Sequence, residues 1–182
     1  MMLYVFTEEP SMKEVLKIVL PKLGVVQGSF KIIDFQGAGN LENSIERQIR
    51  AISNADARFL VLRDNDRGDC LALKRRLLDK VAGSGRLNKS KVRIVCQMLE
   101  SWFIGDAAAL TSSGHLRRPV PKRLTVCDPD MIDDPKKELT RLRGGYQEIS
   151  GAKAIAPYLN IGSNRSPSFA QTISAIRQLT AA

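Results

Sequence analysis

Phe-Leu-Val-Leu-Arg-Asp-Asn-Asp-Arg-Gly-Asp-Cys, residues 59–70, runs from an unbroken apolar stretch into an acidic turn. Phe59 to Leu62 show no polar alternation, which is how a strand covered on both faces reads, and Leu73, Leu77, Leu78 and Val81 then recur at helical spacing. The same strand-then-helix unit repeats on either side. Upstream, Leu3 to Thr7 reads as a strand, and Val15, Leu16, Val19, Leu20 and Leu23 stripe a helix. Ser11 and Glu14 would start that helix as a capping box, and Pro21 with Gly24 would end it. Phe30 to Phe35 is the next strand; Gly37 to Gly39 is a turn; Leu41, Ile45, Ile49 and Ile52 line a second helix. Downstream, Val92 to Cys96 is a fourth strand that leads into a helix from about Glu100 to Leu110.

Four such cycles call for the α/β class, a mostly parallel sheet of four strands or more with right-handed crossovers and helices on both faces. From His115 to Pro135 the chain is rich in Pro, Arg and Asp without periodicity, which reads as a long surface loop. Asp134 and Pro135 open a short helix through about Arg143, closed by Gly144 and Gly145, and Ser166 with Pro167 starts a last helix whose Phe169, Ile173, Ile176 and Leu179 share a face. Residues 1–182 therefore read as one domain, with an α/β core over 1–112 and a loop and helical appendage over 113–182.

Composition narrows the class. With 182 residues, 43% hydrophobic and 26% charged, the chain has the make-up of a globular domain and not of a disordered or fibrous one. Its longest apolar run, Met1 to Phe6, is far short of the roughly 20 residues that span a bilayer, and Glu8 and Glu9 follow it instead of a cleavage site. Membrane and secreted readings both lose ground. Cys70, Cys96 and Cys127 are odd in number and widely spaced, so they make neither a disulfide framework nor a paired metal knuckle, which suits a reducing cytoplasm. The net charge of +9 favours a polyanionic partner.

In an open parallel sheet the working crevice lies beyond the carboxyl ends of the strands, and here those ends are acidic. Glu8 and Glu9 follow the first strand, Asp64, Asp66 and Asp69 the third, and Glu100 the fourth. Side chains two apart on an extended segment point the same way, so Asp64 and Asp66 would bring two carboxylates together. Acids so close need a positive charge between them, most simply Mg²⁺ or Mn²⁺ bound by carboxylates with positions left for phosphate oxygens. Glu8 would complete the site or act as general base. A capped turn opening the next helix is the plainer use of an isolated D-x-D; acids at three strand ends are what favour chemistry. An EF-hand is excluded, because Gly68 stands at the fifth ligand position and Arg75 at the twelfth.

A strand ending in Glu8, then a strand ending in Asp64 and Asp66, resembles the Toprim domain of topoisomerases, primases and overcoming-lysogenization-defect nucleases. Leu62 to Lys74, Leu99 to Asp106, Gly151 to Lys153 and Asn164 to Phe169 are similar to a bacterial Toprim-like family related to those nucleases. The resemblance implies a Mg²⁺- or Mn²⁺-dependent site with Glu8 in the proton-transfer position, Asp64 and Asp66 in the metal positions and Glu100 as a further ligand. Asp69 and Asp106 are additional candidates. Toprim domains usually carry Gly after the first Glu and an acid four positions after it; Glu9 and Met12 stand there, which makes Glu9 an alternative participant. The relatives also imply a separate ATPase partner, since no phosphate-binding G-x-x-x-x-G-K-[ST] string occurs in the chain, and a part in phage defence.

Lys74 on the helix after the turn, and Arg117, Arg118, Lys122 and Arg123 in the long loop, are candidates for phosphate contact. Trp102 reads as a core anchor, and His115, the only histidine, as a surface residue. The leading expectation is a metal-dependent phosphodiester-cleaving protein. The alternative, from a different class, is a non-catalytic accessory subunit that recruits nucleic acid or an ATPase.

Overall fold

The computed structural model describes residues 1–181. Its sheet has four strands, β1 (Met2–Thr7), β2 (Phe30–Asp34), β3 (Ala57–Asp64) and β4 (Ser90–Val95), all parallel in the order β2-β1-β3-β4. The first crossovers are α1 (Pro10–Lys22), α2 (Ala38–Ala51) and α3 (Cys70–Gly83). The continuous apolar run of β3 has a simple cause. Leu60 and Leu62 face one hydrophobic cluster with Leu3, Val5 and α1, whereas Phe59 and Val61 face another with Phe6, α2 and α3. Both faces are buried from Phe59 to Leu62, so none of these four positions is left for a polar residue. Register sets Thr7 beside Leu62 and Asp64 beside Val95, which aligns the acidic ends of β1 and β3.

Beyond β4 come α4 (Glu100–Ile104), α5 (Ala107–Ser112), α6 (Lys122–Val126), α7 (Pro135–Arg143), α8 (Glu148–Ile155) and α9 (Pro167–Thr180). Leu139 of α7, Ile155 of α8 and Ile176 of α9 join the same cluster as α1 and β3. No helix among the described residues is long and apolar enough to cross a membrane.

Several expectations need correction. The helix expected over residues 100–110 is two short helices, broken at Gly105, because the 164–166 segment packs against that point. A Cβ on Gly105 would lie 2.2 Å from Asn164 Oδ1 and 3.0 Å from Ser166 N. The carbonyls freed by the break are satisfied: Asn164 Nδ2 donates to Trp102 O (2.8 Å), Arg165 Nη2 to Ile104 O (2.9 Å) and Arg165 N to Gly105 O (3.0 Å). Trp102 is a core anchor as expected, its indole Nε1 donating to Ser168 Oγ at 3.0 Å and its ring edge-on to Phe169. The motif strings 99–106 and 164–169 thus clasp one another. The long loop carries α6, and α8 is a helix the periodicity does not announce. His115 is half-buried, not a surface residue, with its ring against Tyr146. At the front of the chain, α1 starts at Pro10 and not at Ser11; no side chain caps it, and Ser11 Oγ donates to Glu9 Oε2 instead (3.2 Å). Pro21 lies within its last turn.

Candidate active site

The carboxyl edge of the sheet holds a narrow crevice lined by Glu8, Glu9, Ser11, Met12, Leu62, Asp64 and Leu99. Asp64 closes β3 and is 8% exposed; its Oδ2 accepts one weak bond from Leu99 N (3.3 Å). Burial pushes its carboxyl well above the usual range, and the charges of Glu100, Glu8 and Glu9 push the same way. Glu100, at the start of α4 and 3% exposed, is pushed up to about 7, chiefly by burial. Its Oε1 is buried with no hydrogen-bond partner. Glu8 and Glu9 are raised as well, again first by desolvation. Acids from three strand ends therefore share one poorly hydrated place, where ionising each discourages the next.

A positive charge is already present there. Arg63, the penultimate residue of β3, holds Nη1 2.8 Å from Asp66 Oδ2 and 2.8 Å from Glu8 Oε2, and also donates from Nη1 to Asp64 O. Glu8 Oε2 is close to the guanidinium but receives no aligned hydrogen bond. Asp66 itself turns outward. Its φ is +50°, so the extended geometry that would have set it parallel to Asp64 does not hold, and its side chain is 54% exposed. Arg67 follows at φ +63°, a second left-handed position that only surrounding bonds can impose on such residues. Those bonds come from Asn65 and Gln97. Gln97 O accepts from Asn65 N and Asp66 N (both 3.0 Å), Gln97 Oε1 accepts from Asn65 Nδ2 (3.0 Å) and Arg67 N (2.9 Å), and Arg67 reaches Asp134 at 3.0 Å. The central residue of D-x-D is a buried pin.

The end of the chain completes the crevice. The Tyr146 hydroxyl lies beside Glu100, and Glu148, paired with Lys136, faces Glu100 and Glu9. Gly151 of α8 makes room for that tyrosine, since a Cβ there would fall 2.2 Å from its ring. Sequence reasoning missed Arg63, Asn65, Gln97, Glu148 and the site role of Tyr146. Only Arg63, basic and adjacent to the acidic pair, left a readable signal.

The remaining candidates lie apart. Asp69 caps α3, accepting from Leu71 N and Ala72 N, and Asp106 caps α5 while also accepting from Asn160 N. Lys74 lines a separate cavity beside the thiols of Cys70 and Cys96. Arg117 and Arg118 line a third hollow, their backbone N–H groups bound to Leu142 O. Arg123 is paired with Glu138, and Lys122 begins α6.

A divalent cation is the group the resemblance implies. The donors fit it in kind: carboxylate oxygens, two of them, on Glu8 and Glu100, buried without a hydrogen-bond partner. As placed, no three acids among the described residues surround a common point, so binding an ion requires the carboxylates to turn toward one another.

Fold and site together define an α/β protein with a four-stranded parallel sheet, flanking helices, a C-terminal helix and an acidic crevice at the sheet's carboxyl edge. The chain belongs to the family described as Domain of unknown function (DUF4276), whose profile matches residues 7–177. In fold it is similar to the C-terminal region of the Xanthomonas campestris pv. campestris OLD protein, at 16% identity and a TM-score of 0.59 over 98% of this chain and 95% of that one. No curated protein matches it.

Proposed function

We propose that this is a Toprim-like protein that cleaves phosphodiester bonds with Mg²⁺ or Mn²⁺, acting on nucleic acid, with a separate ATPase as its partner. The observation that carries this reading is the gathering of Glu8, Asp64 and Glu100 from neighbouring strand ends, each desolvated, with Glu100 Oε1 left unpartnered. Desolvated carboxylates are costly unless a cation or a proton joins them. When bound, a divalent cation supplies Lewis acidity toward a phosphate oxygen. Asp64 and Glu100, with Asp66 turned inward, would hold it. Glu8, raised above its ordinary value by desolvation, suits proton transfer, and Glu9 stands next to it on the same crevice. Met12 and Leu99 keep water scarce around the carboxylates. The likeness to the OLD protein's C-terminal region supports the nuclease-type reading at the level of fold.

Arg63 favours a second reading. Its guanidinium already neutralises Glu8 and Asp66, as suits an accessory subunit that needs no ion. One experiment separates the two. The full chain is incubated with plasmid, single-stranded DNA and RNA in Mg²⁺ and in Mn²⁺, beside Asp64→Ala and Asp66→Ala, and Mn²⁺ binding is titrated by calorimetry. Metal-dependent cleavage lost in both variants is the expected result. No cleavage together with no Mn²⁺ binding would leave the accessory reading.

A further inference from the structure

Away from the acidic crevice, two of the three cysteines share one cavity. Cys70, the first residue of α3, and Cys96, the residue after β4, line a hollow of about 260 Å³ together with Lys74, Arg93, Asp130 and Gln171. Both are half-buried and both are free, and the Cys70 thiol is near enough to raise that of Cys96. Cys127 does not line that cavity. The two thiols also bracket the acidic turn. Asp69, adjacent to Cys70, caps α3, while Gln97, adjacent to Cys96, holds Asn65, Asp66 and Arg67 in place.

We propose that Cys70 and Cys96 are a redox modification site: a hydroperoxide converts them to a disulfide that pins the 64–69 turn between α3 and β4. Burial, and then the Cys70 thiol, push the Cys96 thiol up to about 12, so Cys96 is assigned the second attack, and Cys70, at the first position of α3, the first. Cys70 Sγ attacks a peroxide oxygen; the O–O bond breaks, the distal oxygen leaves as hydroxide and takes up a proton as water, and Cys70 becomes a sulfenic acid. Cys96 Sγ then attacks that sulfur; the S–S bond forms, the S–O bond breaks, and the departing hydroxide leaves as water with the Cys96 proton. Two thiols and one hydrogen peroxide thus give one disulfide and two waters. Nothing in this step uses the acidic crevice, so its outcome is independent of the cleavage reading.

The test uses the whole chain treated with hydrogen peroxide, denatured in an alkylating agent and digested with trypsin. The expected product joins peptides 68–74 and 94–117, is lighter by two hydrogens than their sum, and disappears on reduction. It persists in Cys127→Ser and is absent from Cys70→Ser and Cys96→Ser. A link through Cys127, a sulfinic acid at Cys70 without a link, or three alkylated cysteines in the treated wild type would each overturn the pairing. Hydrogen exchange tests the pinning separately: amides 64–69 are expected to exchange at least about fivefold more slowly in the oxidised chain, and equal rates would overturn that part.

Discussion

Arg63 sits where two strand-end acids need a counter-charge, and its side chain is only 11% exposed. Removing it leaves Glu8 desolvated beside Asp66 with nothing positive in reach, so Arg63→Met is expected to lower stability by roughly 2 kcal/mol, less than a fully buried pair would lose because Glu8 can take a proton. Urea denaturation of Arg63→Met beside the double variant Glu8→Gln/Arg63→Met checks this: the second should recover about half of the loss, and no recovery would show that the guanidinium serves packing instead. Glu100 sets a pH dependence. Its ordinary value is 4.5 and its folded value about 7, so between them the unfolded chain releases a proton that the folded chain keeps. Stability is full below about pH 4.5 and declines until the pH passes about 7, by on the order of 3 kcal/mol from this one group. Asp64, also raised, adds in the same direction. Thermal melts between pH 5 and pH 8 should therefore fall more steeply for wild type than for Glu100→Gln; parallel curves would remove Glu100 as a source.

At the scale of elements, α8 depends on a single missing methyl group. Gly151 lets the Tyr146 ring settle against the helix and reach Glu100, and alanine there would collide with Cε2, Cζ and the hydroxyl oxygen at 2.2, 2.6 and 2.7 Å. Gly151→Ala is expected to cost about 1–3 kcal/mol through displacement of a buried aromatic. A melting temperature that does not move would mean the tyrosine has another rotamer to occupy. The same helix marks the limit of what the amino-acid sequence discloses. Strands and the first three crossover helices are legible because each buries a stripe or a whole run, as Phe59 to Leu62 and Leu41, Ile45 and Ile49 do. The residues Glu148–Ile155 carry a glycine and little periodicity, and their helix is decided by packing on α1 and Tyr146. The candidate site divides the same way. Its acids stand at strand ends, where position alone exposes them, and Arg63 is marked by standing next to Asp64; Gln97 and Glu148 matter through distances across the fold, which spacing along the chain does not encode. Asp66 belongs to neither group, because its left-handed backbone is held by Gln97 from the segment that follows β4.

For the molecule as a whole, part of the positive charge lies outside the acidic crevice. Arg117 and Arg118 line a hollow of about 250 Å³ and neither forms an ion pair among the described residues, whereas Arg123 is taken by Glu138. If the partner is a polyanion, the double variant Arg117→Ala/Arg118→Ala should weaken binding of a labelled single-stranded oligonucleotide about 3–10-fold at moderate salt and flatten the salt dependence by roughly one to two charges. Asp64→Ala should bind as wild type does. Anisotropy titrations at several salt concentrations decide it, and an unchanged slope would exclude these two arginines. The strand order carries a different message, about synthesis. The central pair of the sheet joins β1 to β3, so the strand made first finds its second neighbour only after more than fifty further residues have been added. Tyr146 and Glu148 come later still. On the ribosome, the emerging first half of the chain would therefore hold its acidic strand ends open to water, ionised and mutually repelling, until the last third arrives to cover them. That repulsion is a reason for the nascent sheet to stay loose at its carboxyl edge, and it makes closure of the crevice a late event in folding.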